Sequence, residues 1–371
     1  QDNDMAYTTI DKPSAHCSQK TYAGSSSTTT ISGMGFKPDL IITKNRPDSS
    51  NWNTVDSSRG NTKNIYTNDV SGGSPVEDTN TRIASFTSDG YTLTGGDALT
   101  NTASKQFRSW NWKANAGSRT TFTENGNNPG GGRQVNVAGG FAIIDYVGTG
   151  AVGTIAHGLG AAPAYISIKN RSVADHWSLF HGKQDAIGVT DPQTDYYGWS
   201  DASGTQDSAA FWNDTAPTSS VFTVGTDHRC NADGENYVAY VWTPIQGYSD
   251  IGSYTGNGHA NGSFIYTGFR PAMTITKKQN GNEQWLIQDA GSTIITKAGA
   301  LGIGGNPIAQ RLSLKDPVAE DDNNSPVDYY SNGFKWKAGN ARENGAGVPF
   351  IYIAFAEMPL VGTNGVIALA T

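Results

Sequence analysis

At 371 residues the chain has room for two or three domains of ordinary size, and aromatic residues at 10% supply enough bulk to exclude a disordered chain. Hydrophobic residues at 36% suffice for several small cores but not for a membrane protein. Charged residues at 16% and a net charge of −7, with no cluster of Lys and Arg, exclude nucleic acid as the main partner, because neutralising phosphates takes clustered cations.

No apolar run approaches the ~18 residues that a membrane-spanning helix needs, so no membrane insertion is expected. The chain opens without the basic-then-apolar order of a signal peptide. Met5-Ala6-Tyr7-Thr8-Thr9 has the look of a native start, which makes residues 1–4 a processing remnant or a stretch carried from upstream. Residues 1–19 are read as an N-terminal arm whose Thr, Ser and Pro13 build no core, and which is suited to anchor the chain to a partner or a neighbouring copy.

A repeat organises the rest of the chain. Gly35-Phe36-Lys37-Pro38 leads into Asp39-Leu40-Ile41-Ile42-Thr43-Lys44. The pattern returns at Gly160 with Pro163 and Lys169, and again at Gly268 with Pro271 and Lys277. Proline and lysine are six residues apart each time, and a tryptophan follows each lysine by eight, at Trp52, Trp177 and Trp285. Upstream, Tyr22-Ala23-Gly24 recurs as Tyr146-Val147-Gly148 and Tyr254-Thr255-Gly256. Downstream, each copy ends in an aromatic strand: 107–112, 237–242 and 352–356. Alternation such as Ile166-Ser167-Ile168 predicts half-buried strands, and Asp89-Gly90 and Asn332-Gly333 suit tight turns because Gly accepts positive φ. The best helical candidates are short pieces near 177–180.

The predicted fold is all-β: three tandem β-sandwich or jelly-roll-like repeats behind a short N-terminal arm. The modules are expected at 20–123, 134–245 and 246–371. A linker over 124–133 is expected to lack regular structure because of Pro129 and Gly130-Gly131-Gly132. The distant Cys17 and Cys230 read as two free thiols.

Gly148-Thr149-Gly150-Ala151-Val152-Gly153 matches a dinucleotide fingerprint, but strand and turn residues come next where that motif needs a helix. The six histidines form no metal signature, and no metal or cofactor is expected. Glu320-Asp321-Asp322-Asn323-Asn324 offers oxygen ligands without the spacing of a calcium loop and reads as a solvated acidic loop. The strongest binding candidates are Trp177 with His176 and His181, and their counterparts Trp285 and Asp289, because tryptophan faces stack on sugars. Against that, Pro38, Lys44, Trp52, Pro163, Lys169, Pro271 and Lys277 recur as a fold requirement would, each tryptophan packing beside an alkyl stem.

The opening Met5-to-Ser14 stretch, the Tyr-x-Gly turns, Gly35-Phe36-Lys37-Pro38, Asn213-Asp214-Thr215-Ala216-Pro217-Thr218 and Ser253-Tyr254-Thr255-Gly256-Asn257-Gly258 together resemble a family of tailed-phage virion proteins. Such proteins abound in phages of marine and other aquatic bacteria and carry an uncharacterised repeated β domain. The resemblance spans nearly the whole chain, and the first module departs most, with Arg108 and Asn111 in its closing strand. It implies a non-enzymatic component of the virion surface, partnered by other virion proteins and copies of itself, with no catalytic residues to carry over.

Three functions are expected: a tail-associated fibre or adhesin contacting host-surface glycans, a head-decoration or other purely structural virion protein, and, more remotely, a glycan-degrading enzyme. An adhesin calls for exposed aromatics on one module, a decoration protein for an apolar docking face, and an enzyme for carboxylates converging in a cleft. Binding through neutral polar and aromatic groups should depend little on salt.

Overall fold

The computed structural model describes residues 7–68, 77–185, 191–198, 203–291, 306–321 and 325–362. Residues 1–4, Met5 and residues 322–324 lie outside that set. The chain is all-β, built from antiparallel sheets with two one-turn helices.

In chain order the first strands are β1 (Cys17–Ala23), β2 (Thr29–Ile31), β3 (Leu40–Asn45), β4 (Asn53–Asp56), β5 (Asn64–Ile65), β6 (Ile83–Thr87), β7 (Gly90–Leu93) and β8 (Gln106–Trp112). They form a large sheet, β1-β8-β3-β4-β5, covered by a small one, β2-β7-β6. Then come β9 (Thr120–Phe122), β10 (Gly131–Asn136), β11 (Phe141–Val147), β12 (Gly153–Ala156), β13 (Tyr165–Asn170) and β14 (Ser178–His181). Next in order are β15 (Asp195–Tyr196), β16 (Gln206–Asp207), α1 (Ala209–Trp212), β17 (Val221–Val224), α2 (His228–Asn231) and β18 (Asn236–Trp242). Their large sheet runs β14-β13-β18-β11-β10-β9, with β12 and β17 paired apart from it. The last are β19 (Ser249–Thr255), β20 (Phe264–Tyr266), β21 (Phe269–Lys278), β22 (Leu286–Asp289), β23 (Leu312–Ser313), β24 (Val327–Tyr330), β25 (Gly333–Trp336) and β26 (Pro349–Pro359). They give β19-β26-β21-β22-β23 covered by β20-β25-β24.

In each large sheet a closing strand sits between the strand that opens it and the strand carrying the lysine. Thus β8 lies between β1 and β3, β18 between β11 and β13, and β26 between β19 and β21. The register agrees as well, with Trp112 opposite Cys17, Trp242 opposite Phe141 and Phe355 opposite Ser249. Local chemistry explains the recurring motifs. Gly35, Gly160 and Gly268 hold φ of +75°, +78° and +78°, the left-handed region that a Cβ disfavours. Gly24, Gly148 and Gly256 press on a facing backbone, so a Cβ there would fall on the carbonyl of Thr102, Ala232 or Gly345. The neighbouring tyrosines, Tyr22, Tyr146 and Tyr254, donate to the carbonyls of Thr100, Cys230 and Glu343. The residue after each of those carbonyls is a buried asparagine (Asn101, Asn231 and Asn344) that accepts the N–H following the turn glycine.

Three outer cores lie between large and small layers, but the largest buried cluster is shared by all three large sheets. This explains why β13 is buried on both faces rather than half-buried as the alternation of Ile166-Ser167-Ile168 suggested, and why β3 is likewise buried on both. One face meets an outer core and the other the shared one.

Ionic and backbone contacts stitch the sheets together. Arg46 donates to Glu320 at 2.6 Å and Arg171 to Glu77 at 2.7 Å, tying the first sheet to the third and the second to the first. The Thr205 N–H donates to Gln279 O at 2.9 Å between the second and third. Arg46, Arg171 and Gln279 each stand two residues past a repeated lysine.

Several expectations are corrected. The stretch read as an unstructured linker includes Gly131, Gly132 and Arg133 of β10, paired with β11 and β9. Glycine is accommodated there because neighbouring groups crowd the strand, with Asp145 O at Gly131 and the Arg119 guanidinium at Gly132. The short helical piece near 177–180 is strand β14, held by pairing to β13. The described part of the arm makes contacts outside the first module, as its lack of core-forming residues suggested. Tyr7 and Thr8 bond to Gly268 O and Gln246 O, Ile10 enters the shared core, and β1 already begins at Cys17. Cys17 and Cys230 are buried free thiols, and burial pushes the Cys230 thiol up to about 12.

Burial pushes the Glu77 carboxyl up, but the hydrogen bonds and charges of Arg171 and Arg59 outweigh it and hold the group at about 2. Its folded value therefore lies below the ordinary 4.5, so its contribution is complete above pH 4.5 and is lost as pH falls towards about 2. Glu77→Gln should cost about 3 kcal/mol at neutral pH, as expected for breaking a buried ion cluster. The variant should also show a shallower acid limb than the parent in urea titrations; equal limbs would refute the assignment.

Candidate functional site

The residues singled out for sugar stacking are internal. Trp177 and Trp285 are 1% and 0% exposed, so neither ring offers a face to a ligand. Trp177 donates its indole N–H to Tyr66 O at 2.9 Å, and Trp52 donates to Ser313 O at 2.9 Å. Trp285 meets the Tyr197 ring edge to face at 5.4 Å. All three point from one large sheet into a neighbour.

The position shared by Asp56, His181 and Asp289 also crosses between sheets. Asp56 accepts the Tyr240 hydroxyl at 2.7 Å, the His181 ring lies 3.0 Å from Tyr352 O, and Asp289 takes two hydrogen bonds from Arg108. Arg108, the odd residue of the first closing strand, is thus the partner of Asp289. Burial lowers His181 to about 4, so it stays neutral at physiological pH and serves as a hydrogen-bonding spacer. His176 is half-buried in the irregular segment that leads into β14.

The repeated lysines cap loop carbonyls. Lys44 donates to Asn45 O and Asp48 O, Lys169 to Asp175 O, and Lys277 to Lys278 O and Gly281 O. Pro38, Pro163 and Pro271 are buried where the lysine strands enter their sheets. In the acidic run, Glu320 and Asp321 are engaged by Arg46 and Arg311. Gly153 opens β12, so no helix comes after the glycine-rich stretch. Among the described residues no group of His, Cys, Asp or Glu is arranged to hold a metal ion, and no helix is long and apolar enough to cross a membrane.

A different surface has the character of a binding site. Among the described residues the most exposed aromatics are Tyr266 at 57%, Phe264 at 45% and Tyr330 at 36%, and all three lie on the outer face of β20-β25-β24. Strand alternation puts them there: Ile265, Val327, Tyr329, Phe334 and Trp336 fill the core beneath. Gly333 stands opposite both Tyr266 and Tyr330, and the Phe264 ring lies over it, 5.9 Å from Tyr330 and edge to face. The matching face of the first small sheet carries Thr30 bonded to Thr92.

Beside this face is an open cleft of about 300 Å³ bounded by Tyr7, Gln246, Gly247, Ser249, Asp250, Tyr266 and Gly268. Tyr7 donates to Gly268 O at 2.7 Å, and its hydroxyl lies 3.4 Å from that of Tyr266. Asp250 accepts the Tyr352 hydroxyl at 2.5 Å. Burial pushes both the Tyr7 phenol and the Asp250 carboxyl up, the Tyr352 hydrogen bond partly offsetting the latter. The cleft therefore holds hydroxyl donors and carboxylate and carbonyl acceptors between aromatic walls. The sequence did signal aromatics on alternate positions of Phe264-Ile265-Tyr266, but it carries no sign that Tyr7 closes the site from more than two hundred residues away.

The chain matches a family model described as Domain of unknown function (DUF7483) over residues 12–359, and it belongs to that family. No curated protein matches it. No solved structure matches it either. The matched span ends with β26 and takes in all three large sheets, so the family unit is the assembly around the shared core.

Trp177→Ala should cost about 3–5 kcal/mol, the range for emptying a buried tryptophan site, as measured by denaturant unfolding. A stable Trp177→Ala protein with lost ligand binding would contradict the structural role.

Proposed function

We propose that the chain is a non-enzymatic virion structural protein of a tailed phage, made of three tandem β-sandwich-like modules, that contacts host-surface glycans through the outer face of β20-β25-β24. The three-module reading is supported by the common placement of β8, β18 and β26, the equal register and the thrice-used Tyr–Gly–Asn turn. The virion assignment rests on the resemblance carried by the opening, turn and Gly-x-x-Pro segments. In that setting the partners are other virion proteins and further copies of the chain, and the location is the particle surface.

The observation that carries the glycan reading is the gathering of Phe264, Tyr266 and Tyr330 on one sheet face. Exposed aromatic rings beside hydroxyl and carboxylate groups suit ligands with an apolar face and many hydroxyls. A head-decoration role is the second reading, favoured by the burial of Trp177 and Trp285, which assigns the most regular part of the sequence to assembly.

Binding of the full chain to host cells tests the choice. Tyr266→Ala should weaken it about tenfold, ~1.4 kcal/mol, with unchanged melting temperature. Binding should persist when salt is raised from about 0.1 to 1 M, since screening weakens ionic contacts. A chain absent from purified particles would refute the virion assignment; undiminished cell binding by Tyr266→Ala would leave the decoration role.

A further inference from the structure

We infer that the cleft between Tyr7, Asp250 and Tyr266 is a subsite for one uncharged pyranose unit of a longer glycan, with the N-terminal segment forming one wall. This deepens the glycan reading above and rests on it.

Size is the first argument. A cleft of about 300 Å³ lies at the small end of the range for ligand pockets, enough for one sugar ring but not for a chain. Polarity is the second. Tyr7 has given its proton to Gly268 O and keeps lone pairs, while Asp250 receives only part of its capacity from Tyr352. The Tyr266 hydroxyl supplies the remaining phenol proton and shares it with Tyr7 across 3.4 Å. Acceptors thus outnumber donors, as a ligand presenting several hydroxyl protons requires.

Charge narrows the ligand further. Among the described residues Asp250 is the one ionisable carboxylate in the lining, and the charge of Lys183 acts on it. A sugar bearing carboxylate or sulfate would set its charge against Asp250 and the carbonyls of Gly268 and Gln246. An uncharged ring meets no such penalty.

Continuity gives the direction of the glycan. Tyr266 belongs to both the cleft and the aromatic face, and across Gly333 lies Tyr330. A unit held in the cleft therefore leads onto Phe264 and Tyr330.

The wall is particular to this end of the molecule. Nothing occupies the space where a Cβ would stand at Gly35 or Gly160, whereas at the corresponding Gly268 that space holds the Tyr7 hydroxyl. Thr8 fixes the same segment by donating to Gln246 O at 2.8 Å. A tether alone needs no phenol there, because Thr8 and the buried Ile10 already hold the segment.

The full-length chain would be titrated with neutral gluco-, galacto- and manno-configured tetraoses and with oligogalacturonides. The parent should bind a neutral tetraose in preference to the acidic one. Asp250→Asn, which keeps an acceptor for Tyr352, and Tyr7→Phe should each weaken binding at least tenfold at unchanged melting temperature. Tyr330→Ala should reduce affinity for the tetraose while leaving that for the matching monosaccharide. If the parent binds, Tyr266→Ala reduces binding, and both Asp250→Asn and Tyr7→Phe bind normally, the subsite is refuted and the aromatic-face reading stands. A preference for oligogalacturonide refutes the uncharged ligand. Binding of no glycan by the parent removes both readings.

Discussion

Trp112, Trp242 and Phe355 occupy one register position in three closing strands, and they meet inside the molecule. Trp112 stands edge to face with Trp242 at 5.9 Å and with Phe355 at 5.6 Å. Everything else in the structure is arranged around that contact. An aromatic ring buries up to about 250 Å² and gains further from edge-to-face geometry, so three that converge cannot be separated without exposing each other. The strands bearing them are paired on both sides within their large sheets, so each sheet is held by an interior strand and not by an edge. A cavity of only about 20 Å³ remains among the aromatic and aliphatic residues around that meeting point, so the filling is close to complete.

Polar contacts then set the sense of the assembly. The position of Asp56, His181 and Asp289 reaches from first sheet to second, second to third and third to first. The tryptophan position runs the opposite way, from first to third, second to first and third to second. Two rings of contacts with opposite sense hold each sheet from both neighbours. Such groups are costly to bury unpaired, which favours this closed arrangement over looser ones in which the partner is missing. The side chains differ from place to place: a carboxylate, an imidazole and another carboxylate do one task, each with a partner matched to it. Arg108 departs from its apolar counterparts because Asp289 requires a cation.

That substitution pattern explains what could be read from the residues alone. Backbone demands leave fixed signatures: the left-handed Gly35, Gly160 and Gly268 each stand nine residues before a loop-capping lysine, and the crowded Gly24, Gly148 and Gly256 precede them by eleven or twelve. Recurrence therefore exposed the strands and their order along the chain. It could not separate a tryptophan needed inside from one offered outside, since hydrophobic bulk suits both. Nor could it show that the second faces of β3 and β13 are buried, because the groups covering them come from other sheets. Asn101, Asn231 and Asn344 vary in spacing from the turn glycine, because they act across loops of unequal length, but each stands six residues before Phe107, Tyr237 or Phe350 of its closing strand, a signal of the same kind.

The inner faces of the large sheets are committed to one another, which leaves the outer layers free to differ. Thr30 and Thr92 on the first small sheet satisfy each other and offer only hydroxyls. At the third, the same layer carries Phe264, Tyr266 and Tyr330 while Ile265, Phe334 and Trp336 keep the core beneath intact. Alternation along a strand makes this possible, because a residue can change on the solvent face without moving its neighbours on the other. Exposed aromatics at that density have a cost in solubility and stand where nothing in the described fold requires them. The segment led by Tyr7 docks against the edge of this same layer, bringing a phenol and hydrogen bonds to a place where its counterparts leave open space. Assembly is thus served by what the three sheets share, and the proposed recognition surface lies in what distinguishes the third.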